Sequence, residues 1–157
     1  MKRHAILLTI GVLTLAITLL PAPAFGQDTP AVTGAGAGVF PSGTTFSNVA
    51  VSGMQFGMGV FIPGDGTAAG QFQATLLGTS ALNQPQYIVV EGVATSGSIG
   101  TGTGTFSGTA TVDMGDGTAP LTNVPFTVTA TPTSVLLTVG ATNLPTASVN
   151  QGQITIQ

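Results

Sequence analysis

The chain has 157 residues, a formal net charge of −3, and neither cysteine nor tryptophan. Its only basic side chains are Lys2, Arg3 and His4, so the rest of the chain offers nothing that neutralises phosphate, which argues against binding to nucleic acid or to anionic lipid. Disulfides cannot hold the fold. Because hydrophobic residues make up 43% of the chain, we expect a packed core instead.

The first 26 residues have the layout of a secretory signal peptide. An apolar run from Ala5 to Leu20 follows the basic residues, Pro21 ends it, and small residues then precede Gln27. The run is shorter than the about 20 apolar residues that span a bilayer, and no positive cluster follows it. We therefore predict export, with cleavage before Gln27 or alternatively before Phe25, and a periplasmic, cell-surface or extracellular destination in a bacterial type of cell. No cysteine follows the run, which excludes a lipoprotein anchor.

Residues 27–45 read QDTPAVTGAGAGVFPSGTT and have no sustained hydrophobic period. Their content of glycine, alanine, threonine and proline is typical of a flexible segment. We therefore predict a flexible lead before the folded domain. The alternative is that Val39 and Phe40 add a first edge strand.

Residues 46–157 have the pattern of β-structure. Runs rich in valine, threonine, isoleucine and phenylalanine are separated by short clusters of glycine, proline, asparagine and aspartate, and no window has a helical period. The clearest strand is TGTGTFSGTATVDM (101–114), where hydroxyl residues alternate with glycine or apolar residues. The pattern predicts one all-β domain, an antiparallel β-sandwich or a small closed β-barrel of about seven to nine short strands. Aromatic residues reach only 6%, so we favour a soluble domain over a lipid-facing barrel with aromatic girdles.

The run QYIVVEGVA (86–94) has apolar residues on both faces of its alternation, which predicts a central strand covered on both sides. Glu91 interrupts this run, and no lysine or arginine beyond residue 4 can pair with it. A buried carboxylate without a partner is costly, so we place Glu91 at a strand end or an exposed edge. The alternatives are a protonated carboxyl or a bound cation.

The pentapeptide GDGTA occurs twice, at residues 64–68 and 115–119. Asp-Gly is a strong hairpin signal, because glycine accepts a positive φ and aspartate tolerates one, so we interpret both copies as turns. In the second copy Asp116 lies three residues after Asp113, and two carboxylates around a glycine could bind calcium, with Asp65 as a further ligand if the copies meet. The spacing is not that of an EF-hand. Calcium at Asp113 and Asp116 is therefore the less favoured interpretation, and the sequence indicates no other cofactor.

Catalysis has little support in the sequence. Beyond residue 4 there is no histidine or lysine to activate a hydroxyl, and no cysteine or histidine to hold zinc. Glu91, Asp113 and Asp116 are the only serious candidates for a two-carboxylate glycosidase, and no tryptophan is present to stack a sugar ring. We therefore predict that the protein is not an enzyme.

The sheet edges are the remaining clue to function. Natural sheets often protect their edges with lysine, and this chain has none beyond residue 2. Either the sheet closes on itself, or a partner strand covers its edges by self-association or by pairing with another protein. We predict an exported structural or interaction module without enzymatic activity. The alternative is a secreted β-domain that binds a small ligand or calcium.

Overall fold

The computed structural model describes residues 30–157, so the predicted signal peptide at residues 1–26 lies outside the described residues. Within the described range the chain forms ten strands, and no helix there is long and apolar enough to cross a membrane. The strands are β1 (Ala31–Val39), β2 (Thr45–Phe46), β3 (Val49–Phe61), β4 (Thr67–Thr79), β5 (Pro85–Gly100), β6 (Thr103–Asp113), β7 (Leu121–Thr131), β8 (Ser134–Val139), β9 (Thr142–Asn143) and β10 (Ala147–Ile156).

All ten strands belong to one antiparallel sheet, in the order β1-β10-β8-β7-β6-β5-β4-β3-β2, with β9 on β8. Strand β1 also pairs along its whole length with β3, so eight strands form a closed ring to which β2 and β9 are short additions. The predicted all-β antiparallel fold is confirmed. A sheet that pairs with its own first strand has the arrangement of a barrel rather than of two packed sheets.

The strands are longer than the short ones predicted, and their number is slightly larger. Strands β3 and β4 have 13 residues each, and β5 has 16. The glycines inside these runs are strand residues, and the pairing of β3 with β4 shifts between Val51 and Gly53. Glycine lowers strand propensity without ending a strand whose neighbours supply hydrogen bonds on both sides.

The prediction of a flexible lead is wrong for residues 31–39. They form β1, which pairs with both β10 and β3 and so closes the ring. The glycine content that indicated flexibility has a structural cause here. A side chain at Gly34 or Gly36 would collide with the backbone of β10 at Gln153 or Gln151. Glycine therefore allows β1 to approach β10 closely enough to complete the ring.

The interior of the ring is filled with side chains. Alternate residues of the long strands point inward, and three phenylalanines, Phe72, Phe106 and Phe126, pack together with ring centroids 6.0, 5.9 and 6.3 Å apart. A side chain at Gly92 would collide with the ring of Phe126, so this glycine makes room for the aromatic cluster. The result is a solid core rather than an open lumen.

Strand β5 differs from the central, doubly covered strand that was predicted. One face is buried in the core, whereas the other is open, with Tyr87 56% exposed and Val93 54% exposed. The strand has neighbours on both sides within the sheet, but no second layer formed by residues 30–157 covers its outer face. The apolar residues on both faces of this run therefore do not indicate that both faces are buried.

The connections alternate between the two ends of the ring, as they must when consecutive strands are antiparallel. The terminal end carries the start of β1 and the end of β10, where Ala31 and Gln157 exchange backbone hydrogen bonds of 3.2 and 3.0 Å. The β3–β4 connection lies at this end as well. The opposite end carries the β4–β5 and β6–β7 connections and the segment between β1 and β3.

Candidate functional site

Both copies of GDGTA are turns, and their hydrogen bonds match. Asp116 Oδ1 accepts bonds from the backbone N–H and the hydroxyl of Thr118, at 2.9 and 2.6 Å. Asp65 Oδ1 accepts the same two bonds from Thr67, at 2.9 and 2.5 Å. The hydroxyl bond first, and then the N–H bond, lower the pKa of each aspartate below its ordinary value of 3.8, because both favour the ionised carboxylate.

The two turns lie at opposite ends of the ring. The first joins β3 to β4 at the terminal end, and the second joins β6 to β7 at the opposite end. Asp65 is therefore separated from Asp116 by the length of the strands. The sequence had suggested Asp65 as a further calcium ligand if the copies met, and the topology keeps them apart.

Asp113 lies at the end of β6, on the connection that also carries Asp116. Its Oδ1 accepts the backbone N–H of Gly115 at 2.8 Å. Calcium takes about six to eight oxygen ligands, and the described residues contain no group of three or more acidic, histidine or cysteine side chains suited to a metal. A calcium site at Asp113 and Asp116 stays a prediction. Each of these carboxylates already accepts a hydrogen bond from the backbone N–H two residues ahead.

The second turn is fastened to the start of β5. The side-chain amide of Gln86, which is buried, donates a hydrogen bond of 2.8 Å to the carbonyl of Met114. Gly115 lies against the backbone of Tyr87, where no side chain would fit. Nothing in the sequence pointed to Gln86, because a glutamine at the start of an apolar run carries no signal of its own.

Glu91 lies in the middle of β5 on the outer, exposed face rather than at a strand end. It accepts a hydrogen bond of 3.2 Å from the amide of Gln73 on β4, and Thr111 of β6 lies opposite it. These residues, with Gln71 and Val93, line a shallow depression of about 380 Å³. Solvent and an amide neighbour explain how this carboxylate exists without a basic partner in the part of the chain that the structure describes.

Hydroxyl groups pair across strands on the outer face of β5, β6 and β7. The hydroxyl oxygens of Ser96 and Ser107 are 2.8 Å apart, and those of Thr105 and Thr129 are 3.1 Å apart. Among the described residues, no basic side chain contacts either pair. These hydroxyls form a neutral polar surface, in agreement with the alternation predicted for residues 101–114.

A cleft of about 410 Å³ lies at the opposite end, between the β1–β2 segment and the start of β3. Val39, Phe40, Pro41 and Val51 supply its apolar lining, and Thr79 of β4 borders it. Its volume falls in the range of about 300–1,000 Å³ that is usual for small-molecule sites. Its largely apolar lining is also typical of small-molecule sites.

Free backbone edges are few because the ring is closed. Strands β2 and β9 have two residues each and offer little edge to a partner. Strand β10 pairs with β1 along most of its length but with β8 only at Ala147 and Ser148. Beyond Val149, whose N–H donates to the Thr133 carbonyl, one side of β10 therefore lacks a neighbouring strand among the described residues.

Comparisons with known proteins add no family to these features. No protein-family model matches the chain, and neither the curated proteins nor the solved structures gave a match.

Proposed function

We propose that the protein is an exported structural or interaction module without enzymatic activity. The observation that carries the proposal is a closed sheet with a filled interior and an outer surface of hydroxyls and amides. Of the five acidic residues in the chain, four lie in the described part, and no basic residue accompanies them there. Such a surface is suited to contacts with an uncharged or basic partner rather than to chemistry.

The positions of the polar groups support the non-enzymatic part of the proposal. A nucleophilic hydroxyl needs a base within hydrogen-bond reach, and the hydroxyls of β5, β6 and β7 instead bond to one another. The carboxylates of Asp65 and Asp116 are engaged in their own turns. We assign a structural role to these hydroxyls and carboxylates, in which they rigidify the loops and strands that carry them.

The filled core supports the structural part. Its aromatic cluster holds three strands of the ring together, and interior glycines leave the space it needs. A rigid body with fixed surface positions presents a preformed contact area, which lowers the entropic cost of binding.

The test is site-specific photo-crosslinking in the native cells. A photoreactive residue is placed at Gln73 or Thr109, which are exposed, and at Phe106, which is buried, as the matched control. We expect discrete protein adducts from at least one exposed position and none from Phe106. If all exposed positions give no adduct, or if the purified protein turns over a substrate, the proposal is wrong.

The cleft beside Val39 supports a second candidate, a secreted β-domain that binds a small ligand. Mass spectrometry of the protein purified under native conditions would detect a bound molecule. Val39→Gln should reduce its retention, whereas Leu136→Gln, a matched change at an exposed apolar residue of β8 outside the cleft, should not. Equal retention in both variants would contradict this candidate.

A further inference from the structure

The unpaired side of β10 can be described residue by residue. Ala147 and Ser148 pair with β8, and the backbone N–H of Val149 donates to the carbonyl of Thr133 at 2.9 Å. From Gly152 to Ile156, the described sheet provides pairing to β1 only. We call residues 152–156 the open edge.

The register with β1 decides which backbone groups of the open edge are free. Ala31 and Gln157 form a hydrogen-bonded pair, and hydrogen-bonded pairs alternate with non-bonded ones along an antiparallel ladder. Thr155 therefore bonds to β1, whereas Ile154 and Ile156 direct their N–H and C=O groups away from it. Such groups are a ready template for an added strand.

The open edge lacks the usual protection. Residues 147–157 contain no charged residue and no proline, which are the common means of blocking strand addition. Gly152 has a φ of +88°, and the pairing of β10 with β1 shifts at Ala37 and Gly38. The first residue of the open edge is therefore not extended, so the regular part available to a partner is residues 153–156.

We propose that the open edge pairs antiparallel with the open edge of a second copy of this chain, centred on Ile154. In this register the two Ile154 residues form the central backbone pair, while their side chains, which are 3% exposed, stay inside their own cores. On the outer face Gln153 lies opposite Thr155 of the second copy. The pairing is two-fold symmetric and brings no like charges together.

Self-pairing is favoured over pairing with a foreign strand because both copies present the same uncharged edge, and the polar side chains of Gln153 and Thr155 lie opposite each other on the outer face. The inference rests on the proposed role as an interaction module and specifies one contact of that module. Because the edge is five residues long, the dimer forms only at high concentration, as small interfaces do.

The test is the mass of the purified protein measured by analytical ultracentrifugation over a concentration series. We expect a monomer–dimer equilibrium. The double variant Gln153→Lys/Thr155→Lys places lysines opposite each other across the two-fold axis and should weaken the dimer by about tenfold or more. The matched control, Gln71→Lys/Gln73→Lys, adds the same charge to β4, which is paired on both sides, and should leave the equilibrium unchanged.

A charge-swap experiment tests the register. Gln153→Glu/Thr155→Glu should be as monomeric as the double lysine variant, and an equimolar mixture of the two should form a heterodimer. Hydrogen exchange at the N–H groups of Ile154 and Ile156 should slow as the dimer forms.

A monomer at every concentration, or a double lysine variant that dimerises like the unmodified protein, would overturn self-pairing. Neither result bears on the interaction module itself, which the photo-crosslinking experiment tests separately.

Discussion

The two GDGTA turns have the same sequence and the same aspartate–threonine hydrogen bonds, but they differ in how the rest of the fold holds them. The first is attached to β5 by one backbone bond of 3.1 Å, from the N–H of Gly97 to the carbonyl of Gly66. The second is attached to the other end of β5 by the buried amide of Gln86 and by close packing of Gly115 on Tyr87. The local geometry comes from the pentapeptide, whereas the attachment depends on residues far away in the chain.

Gly115→Ala should have the largest effect, because it breaks the second turn at its most crowded point. Gly115 has a φ of +66°, and its side-chain position is occupied by the Tyr87 backbone. We expect a loss of about 3 kcal/mol in the free energy of unfolding, measured by urea denaturation. The control is Gly64→Ala in the first turn, where φ is +92° but the space is open, and the loss should be about 1 kcal/mol. Equal losses would mean that the packing on Tyr87 is unimportant.

Gln86→Ala should be next, and it affects only the second turn. The change leaves the Met114 carbonyl without its side-chain donor and removes buried volume. We expect a loss of about 2 kcal/mol in the free energy of unfolding. Gln84→Ala, at an exposed glutamine of the neighbouring connection, should change the stability by less than about 0.5 kcal/mol. If Gln86→Ala leaves the free energy of unfolding unchanged, the position of the turn does not depend on this hydrogen bond.

Gly66→Ala and Gly117→Ala test the similarity of the two turns rather than their difference. Both glycines have a positive φ, +89° and +83°, and both have open space at the side-chain position. Each variant should lose about 1 kcal/mol, and the two losses should agree. Gly57→Ala, at an outward strand glycine with open space, should cause no loss. Unequal losses at Gly66 and Gly117 would show that the attachments change the turns themselves.

The pH dependence should be the smallest effect and should be alike in both turns. The pKa of Asp65 and that of Asp116 are lowered in the folded protein, chiefly by the threonine hydroxyl bonds. The unfolded chain therefore takes up these protons at a higher pH than the folded protein does. The stabilisation is present above the ordinary value of 3.8 and is lost as the pH falls through the folded pKa.

The melting temperature measured from about pH 5 to about pH 2 should show this loss. Asp65→Asn and Asp116→Asn should each reduce the acid dependence while changing the melting temperature little at neutral pH, because an amide oxygen still accepts both bonds. A rise in melting temperature with calcium that Asp116→Asn abolishes would contradict the turn as the sole role of Asp116.

Local features of the fold could be predicted from the sequence. The alternation at residues 101–114 corresponds to β6, with Phe106 and Val112 inside and hydroxyls outside. The Asp-Gly turns also follow from the residues themselves, since each aspartate bonds two residues ahead. In both cases the interacting groups are close in sequence.

Features that depend on distant residues could not be predicted. Strand β1 looked flexible because its glycines have no local pattern, and their purpose becomes visible only beside β10, more than a hundred residues away. The anchor from Gln86 to the Met114 carbonyl likewise joins two segments that no local rule connects. The exposure of the outer face of β5 could not be predicted either, because it depends on whether another described element packs over that strand.

The contact between Ala31 and Gln157 has a consequence for how the chain is ordered. The first and last described strands, β1 and β10, are paired neighbours in a closed ring. The strand pairing therefore does not require the chain to start at β1. A chain that links residue 157 to residue 30 and opens instead within residues 80–84 would keep every strand pair described for the natural order. The pairing of the strands, rather than the order in which the chain supplies them, defines this fold.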